Sequence, residues 1–293
     1  MTGLVLIDKP AGCTSHDVVN RWRKLANTKR VGHLGTLDPM ATGLLVLLTG
    51  TATRLAQFFE RDEKTYLAEI TLGVTSDSYD ADGHVVETRV AFPTDPAVIR
   101  LALERFRGPL LQMPPAISAK KIRGVPAYKL ARRQVAIELK AVEVEVKELA
   151  IKVIGGSKVE AVITCTAGTY IRTLAHDFGQ QLGCGAILSG LRRIRAGAFR
   201  IEDAWTLDEL AKLAAGNRLE EAVTPSEQLL THFPAEHFEA GVEAQIRQGR
   251  DFRTSPFVVP PGAPRVRALS RAGKLIAIGE LKIPNFYHPG TVL

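Results

Sequence analysis

The sequence predicts an α+β fold: a mixed, mainly antiparallel sheet with flanking helices, followed by a small β-rich module. Three observations carry this. Runs of strand length recur at 3–7, 44–48, 64–72, 141–154, 158–166 and about 186–194. Helix-patterned segments lie between some of them, without regular βαβ alternation and without a phosphate loop. The composition shifts after about residue 220, and the tail from 233 is rich in proline, with short strands at 265–270 and 274–281.

Taken in order, Gly3–Ile7 is a buried strand that stops at Asp8-Lys9-Pro10. Ser15 then stands as the N-cap of a helix whose apolar face is Val18, Val19, Trp22, Leu25 and Ala26. Residues 31–43 are rich in Gly, Pro and Thr and read as a loop. The buried strand 44–48 ends at Gly50, and a helix follows at 52–60. Residues 64–72 alternate as a half-buried strand, and Asp82-Gly83 marks a hairpin turn. Residues 95–107 predict a helix with Val98, Leu101 and Phe106 inward. The stretch 112–135 is basic, contains proline and offers little core. Strand 158–166 runs straight into a helix at 169–182.

A chain of 293 residues, at about 150 per domain, suggests two domains, here 1–225 and 233–293. With 45% hydrophobic and 24% charged residues it is an ordinary globular chain rather than a disordered one. Cys13, Cys165 and Cys184 are too few and too scattered for a disulfide framework or a zinc ribbon. The N-terminal apolar run is too short for a signal peptide, and no window is long enough to span a bilayer. A soluble, cytoplasmic protein is expected. Lys+Arg exceeds Asp+Glu by 38 to 31, a balance compatible with a polyanionic partner.

Several chemistries lack their motifs. There is no G-x-x-x-x-G-K-[ST] and no G-x-S-x-G. Gly183-Cys184-Gly185 has the wrong spacing for a dinucleotide fingerprint and reads as a helix end. His33 and Asp38 share a loop without a nucleophilic serine, and none of the seven histidines forms H-x-x-x-H on a helix. No metal site is expected.

The densest special segment is Gly32-His33-Leu34-Gly35-Thr36-Leu37-Asp38-Pro39-Met40-Ala41-Thr42-Gly43. Its glycines permit tight turns, and Pro39 holds Asp38 extended. One carboxylate is thus fixed at a strand entrance beside an imidazole. The competing reading is an Asx-turn in which Asp38 bonds only its own loop.

This segment closely resembles the catalytic segment of the TruB family of tRNA pseudouridine synthases. Other segments resemble that family in the same order. They are Leu6-Ile7-Asp8-Lys9-Pro10-Ala11-Gly12, Lys64-Thr65-Tyr66, Asp80-Ala81-Asp82-Gly83, Ser118-Ala119-Lys120-Lys121, Gly168-Thr169-Tyr170-Ile171-Arg172-Thr173-Leu174 and Leu191-Arg192-Arg193. The resemblance spans about residues 3–200, and the tail matches only weakly, as a PUA-like RNA-binding module. Tyr79 departs from the pattern, standing where a small hydroxyl residue is usual.

The resemblance implies a pseudouridine synthase fold and isomerisation of uridine to pseudouridine at tRNA position 55, in the T-loop, without a cofactor. Asp38 would be the catalytic carboxylate, with Arg172 paired to it and Tyr66 stacked on a base flipped from its helix. Tyr170 and Leu191 would line the base pocket, and His33 would fill or prop the space the base vacates. Lys120, Lys121 and Arg132, in an RNA-clasping insertion at about 112–135, would take phosphates. The partner implied is the tRNA T-arm. No obligatory protein or guide RNA is implied, and a monomer is expected.

Overall fold

The computed structural model describes residues 1–115 and 139–293, together with the backbone of Lys121–Ile122 and Val125–Pro126. Its main sheet runs Trp205–Thr206, Gly3–Lys9, Thr42–Thr49, Ala186–Ala196, Lys64–Leu72, Lys158–Cys165, Val142–Gly155, Gly108–Gln112. Neighbours along this path are antiparallel except where Ala186–Ala196 meets Thr42–Thr49 and where Gly3–Lys9 meets Trp205–Thr206. The fold is the mixed α+β class the sequence predicts.

The two most apolar strands are buried on both faces, which is why they read as runs rather than alternations. Val5, Ile7, Leu45 and Leu47 face one core with Trp22 of the helix Ser15–Leu25. Leu4, Leu6, Leu44, Val46 and Leu48 face a second core with Leu55 of the 3-10 helix Gly50–Phe58. Lys64–Leu72 has one covered face, so Tyr66, Ala68, Ile70 and Leu72 point inward while Leu67 is largely exposed.

A second, five-stranded sheet runs Ala235–Phe238, Arg265–Ser270, Leu275–Ile283, Phe286–Val292, Phe252–Arg253, with the helix Ala240–Arg247 against it. Its own core includes Phe238, Ile246, Phe252, Ile276 and Tyr287. Leu269, Leu275 and Ile278 instead join the second core of the main sheet. Arg54 donates to the Val292 carbonyl at 2.6 Å and Gln57 to the Thr291 hydroxyl at 2.9 Å. Among the described residues, no helix is long and apolar enough to cross a membrane.

Four local expectations are corrected. The N-cap of the first helix is Thr14, not Ser15: Thr14 and Asp17 form a reciprocal capping box. Ser15 is freed to bond the Leu37 backbone. The loop 31–43 opens with a short strand, Val31–His33, paired to Leu47–Thr49. The helix expected at 52–60 is the 3-10 helix Gly50–Phe58. The helix Pro96–Glu104 buries Ile99, Ala102 and Leu103, whereas Val98 and Leu101 are exposed. Asp95 as N-cap and Pro96 at the first turn set this phase, and Ile99, Ala102 and Leu103 then share one face.

Helix Ile171–Gln181 enters directly after the strand Lys158–Cys165 and packs against Ala186–Ala196. It ends at Gly183 and Gly185, both in the left-handed region, as the sequence suggested. Within it, a Cβ on Gly179 would collide with the backbone of Gly185 and Ala186. Alanine at a helix interior ordinarily gains about 1 kcal/mol over glycine. Here the clash reverses the sign. Gly179→Ala is expected to lose about 1–2 kcal/mol, read as a lower urea midpoint. A midpoint that rises would show that the helix and the following turn are not packed this closely.

Candidate active site

The Gly-rich loop is held from four directions. Ser15 Oγ donates to the Leu37 carbonyl at 3.0 Å and accepts from the Leu37 amide at 2.8 Å. The Pro39 carbonyl accepts from the Gly12 amide at 2.9 Å and from Lys9 Nζ at 3.2 Å. Lys9 is fully buried and also donates to the carbonyls of Pro10 and Cys13, at 2.9 and 2.6 Å. Burial holds its pKa below the ordinary lysine value, against the pull of Cys13 and Asp38. Arg193 donates to the Gly35 carbonyl at 3.0 Å and to the Leu44 carbonyl at 2.6 Å. Gly43 is required here, because a Cβ would strike the Arg193 backbone.

Asp38, one residue past the Ser15 fork, meets Arg172 in a two-point ion pair. Arg172 Nε lies 2.9 Å from Asp38 Oδ2 and Nη2 3.2 Å from Oδ1. The Arg172 side chain is 5% exposed against 35% for Asp38. Its other edge is anchored by the acidic turn: Nη1 lies 3.3 Å from Asp80 Oδ2 and 3.1 Å from the Ser78 carbonyl. Asp80 is itself held by the Ser78 hydroxyl and the Asp82 amide. The ion-pair geometry, not an Asx-turn, is where the Asp38 carboxylate finds its partner. Burial raises the Asp38 pKa above the ordinary aspartate value, while the Arg172 charge pulls it down.

A cavity of about 350 Å³ opens beside this pair. His33, Asp38, Tyr66 and Tyr170 line it, with Lys64 and Arg193. Burial raises the Tyr66 pKa against the pull of the Arg193 charge, so its phenol is neutral at physiological pH. Burial and the Arg193 charge lower the His33 pKa, and its buried Nδ1 has no hydrogen-bond partner among the described residues. Burial also lowers the Lys64 pKa.

The structure thus gathers Asp38, Arg172, Tyr66, His33 and Tyr170. Leu191 is elsewhere: it pairs with Ala68 and packs, partly buried, against the first core rather than lining the cavity. Lys120 and Arg132 lie outside the described residues, as does the side chain of Lys121. Asp80, Lys64, Arg193, Ser15 and Gln112 were not singled out as site residues by the sequence. Gln112 is buried and bonds both backbone groups of Tyr170, at 2.7 and 2.9 Å, which fixes the start of the helix that carries Arg172. Tyr79, the departure from the family pattern, takes a left-handed backbone (φ 66°) and stacks on His176 with ring centroids 3.9 Å apart.

A model of the TruB family pseudouridylate synthase N-terminal domain matches residues 23–171, and one of the tRNA pseudouridylate synthase B C-terminal domain matches residues 172–231. The tRNA pseudouridine synthase B of Solibacter usitatus (strain Ellin6076) is 48% identical over 293 residues, covering 100% of both chains. That of Thermobifida fusca (strain YX) is 44% identical over 282 residues, covering 92% of this chain and 94% of its own. A solved Cbf5-Nop10-Gar1 complex aligns at a TM-score of 0.71 with 27% identity, over 97% of this chain and 79% of that one. An H/ACA RNP bound to a substrate RNA containing 2'-deoxyuridine aligns at 0.71 with 24% identity, over 99% and 84%, and shares the fold. Fold and matches together define an isomerase of the pseudouridylate synthase class. Within that class, the chain belongs to the TruB family.

The electrostatics give a sign that can be checked. Asp38 should titrate above the ordinary aspartate range, followed by ¹³C NMR of its carboxyl carbon. Arg172→Ala removes the cation that holds it down and should move the midpoint further up. A midpoint that stays or falls would contradict the ion pair.

Proposed function

We propose that this chain isomerises uridine to pseudouridine at position 55 in the T-loop of tRNA, using Asp38 in a flipped-base pocket and no cofactor. The observation that carries the reading is the Asp38–Arg172 pair at the mouth of a cavity that holds a neutral tyrosine. The relatives named tRNA pseudouridine synthase B, matched over 100% and 92% of this chain, support tRNA as the substrate.

The reaction breaks the N1–C1′ bond and forms C5–C1′; C5 loses a proton and N1 gains one. A carboxylate suits this work as a nucleophile or as a base. Asp38 takes that role, and Arg172 keeps it ionised. Tyr66 stacks on the extruded base, Tyr170 closes the pocket wall, and His33 fills the space the base leaves. Lys120, Lys121 and Arg132 belong to the basic insertion that would clasp the phosphates. The unit from residue 233, read as PUA-like, would add RNA contact, with residues 1–225 as the catalytic domain. The chain would act in the cytoplasm as a monomer. It would act alone on the T-arm.

The test is tritium release from tRNA transcript labelled with [5-³H]uridine, using the purified chain with nothing added. Wild type should release tritium, Asp38→Asn should not, and the variant should still bind tRNA within a few-fold. Replacing the T-loop uridine should abolish release. Binding without release by the wild type would favour a tRNA-folding role or a missing guide. Separately, charge reversal at Lys120, Lys121 and Arg132 should weaken binding and flatten its dependence on salt. The log–log slope should fall by about 0.7–0.9 for each phosphate the protein no longer neutralises. An unchanged slope would remove that assignment.

A further inference from the structure

The end of the first helix carries a charge run that the catalytic cavity does not use. Residues 18–37 hold Arg21, Arg23, Lys24, Lys29 and Arg30 and no Asp or Glu. Arg23, Lys24 and Lys29, with Asn27 and Thr28, line a recess of about 530 Å³ that no carboxylate lines. Lys24, Lys29 and Arg30 are exposed, and among the described residues none of these three side chains has a hydrogen bond or an ion pair.

Cations at the end of a helix ordinarily satisfy its last carbonyls. Here the backbone does that work. The amides of Ala26, Asn27 and Thr28 donate to the carbonyls of Trp22, Lys24 and Arg23, at 2.9, 3.4 and 3.1 Å. Asn27 makes the turn in left-handed backbone (φ 44°). Arg23 is pinned to the wall by bonds to Asn20 Oδ1 at 3.1 Å and the Val31 carbonyl at 3.4 Å, and its buried Nε has no partner among the described residues. Elsewhere on the surface, cations meet acids: Lys147 with Glu63, Arg218 with Glu221, Lys282 with Asp251. Like charges gathered around a recess repel one another, and a bound anion relieves that repulsion.

The position of the recess selects the anion. Lys29 stands four residues before His33, which lines the catalytic cavity, and the strand Val31–His33 lies between. Four residues reach at most about 14 Å. A nucleic-acid helix advances about 3.4 Å per nucleotide of one strand, so the recess lies within about four nucleotides of the target base. The cavity takes the extruded base, and the next phosphates in reach are those where the loop passes into its stem. A lysine is a point charge that holds a phosphate without reading sequence.

We infer that Lys24 and Lys29 hold backbone phosphates of the T-arm stem, at the end of the stem next to the loop. The inference rests on the reading of the chain as a tRNA-modifying enzyme.

Lys24→Ala combined with Lys29→Ala should weaken binding of a T-arm stem-loop about tenfold at physiological salt and lower the log–log salt slope by about 1.4–1.8. Lys152→Ala combined with Lys158→Ala is the charge-matched control and should bind as wild type. Both residues are exposed, and Lys158 is at the opposite end of its strand from Cys165, which pairs with Lys64 of the cavity. The deciding step removes the phosphates instead of the lysines. Uncharged methylphosphonates in the stem next to the loop should weaken wild-type binding to a like degree, and the lysine changes should then add less than about twofold. Methylphosphonates in the loop alone should leave the full effect of the lysine changes in place. Stem and lysine losses that multiply would overturn the inference. So would a double variant that binds like wild type, or one whose affinity falls with an unchanged salt slope. A wild-type protein that neither binds nor turns over tRNA would instead sink the functional reading itself, so the two failures are distinguishable.

Discussion

Most of the site's architecture follows from one buried guanidinium. Arg172 is almost completely removed from water, and a buried charge stripped of a partner costs about 3–5 kcal/mol. Its needs are met on two edges. One edge takes both oxygens of Asp38, and the other takes Asp80 and the Ser78 carbonyl. Two carboxylates face one cation, so the cluster keeps a net negative charge that solvation alone no longer supports. The carboxylate with more exposure, Asp38, is the one that faces the cavity. A fully enclosed pair would be inert, and a fully exposed aspartate would be an ordinary acid.

For that pair to form, three segments far apart in sequence must meet with little tolerance. The loop supplying Asp38 has almost no side-chain core of its own, so backbone bonds fix it. Ser15 grips the residue before Asp38, and Lys9 with Gly12 grips the residue after it. Arg193 holds Gly35 at the loop's start. Gln112 locks the backbone of Tyr170 two residues before Arg172. Each clamp is a neutral or cationic group on a main-chain atom. The carboxylate is therefore preorganised by bonds that do not use its own oxygens.

Sequence reasoning recovered what rests on local chemistry. The apolar runs, the alternation at 64–72 and the Gly-rich loop all declare themselves within a few residues, whereas Asp38, Tyr66 and Arg172 stand out only through the family resemblance of their segments. What it missed depends on partners distant in the chain. Asp80 looks like any turn acid until Arg172 arrives from ninety-odd positions later in the sequence. Ser15 reads as a cap because capping is the commonest use of such a residue, and only the fold shows Thr14 doing that instead. The inward face of the helix at 96–104 turns on where its first residue falls, and a shift of one position moves an apolar stripe by about 100°. Leu191 sits in an active-site-like segment, but its strand partner is Ala68, which draws it to the core.

The boundary between the two family matches, at 171 and 172, does not divide the molecule physically. The strand Ala186–Ala196 from the second match lies in the middle of the main sheet, between strands supplied by the first. It also contributes Arg193, which holds the loop of Asp38 and lines the cavity with Tyr66. Arg192 beside it bridges to Asp8 through two bonds of 3.0 and 2.6 Å, tying the same strand to the N-terminal one. Adjacent arginines on one strand point to opposite faces. The pair therefore serves two ends: Arg193 fixes the site and Arg192 fixes the sheet that carries it. Removing the second segment would take away the central strand and a wall of the cavity together, so the catalytic unit cannot be cut at that boundary.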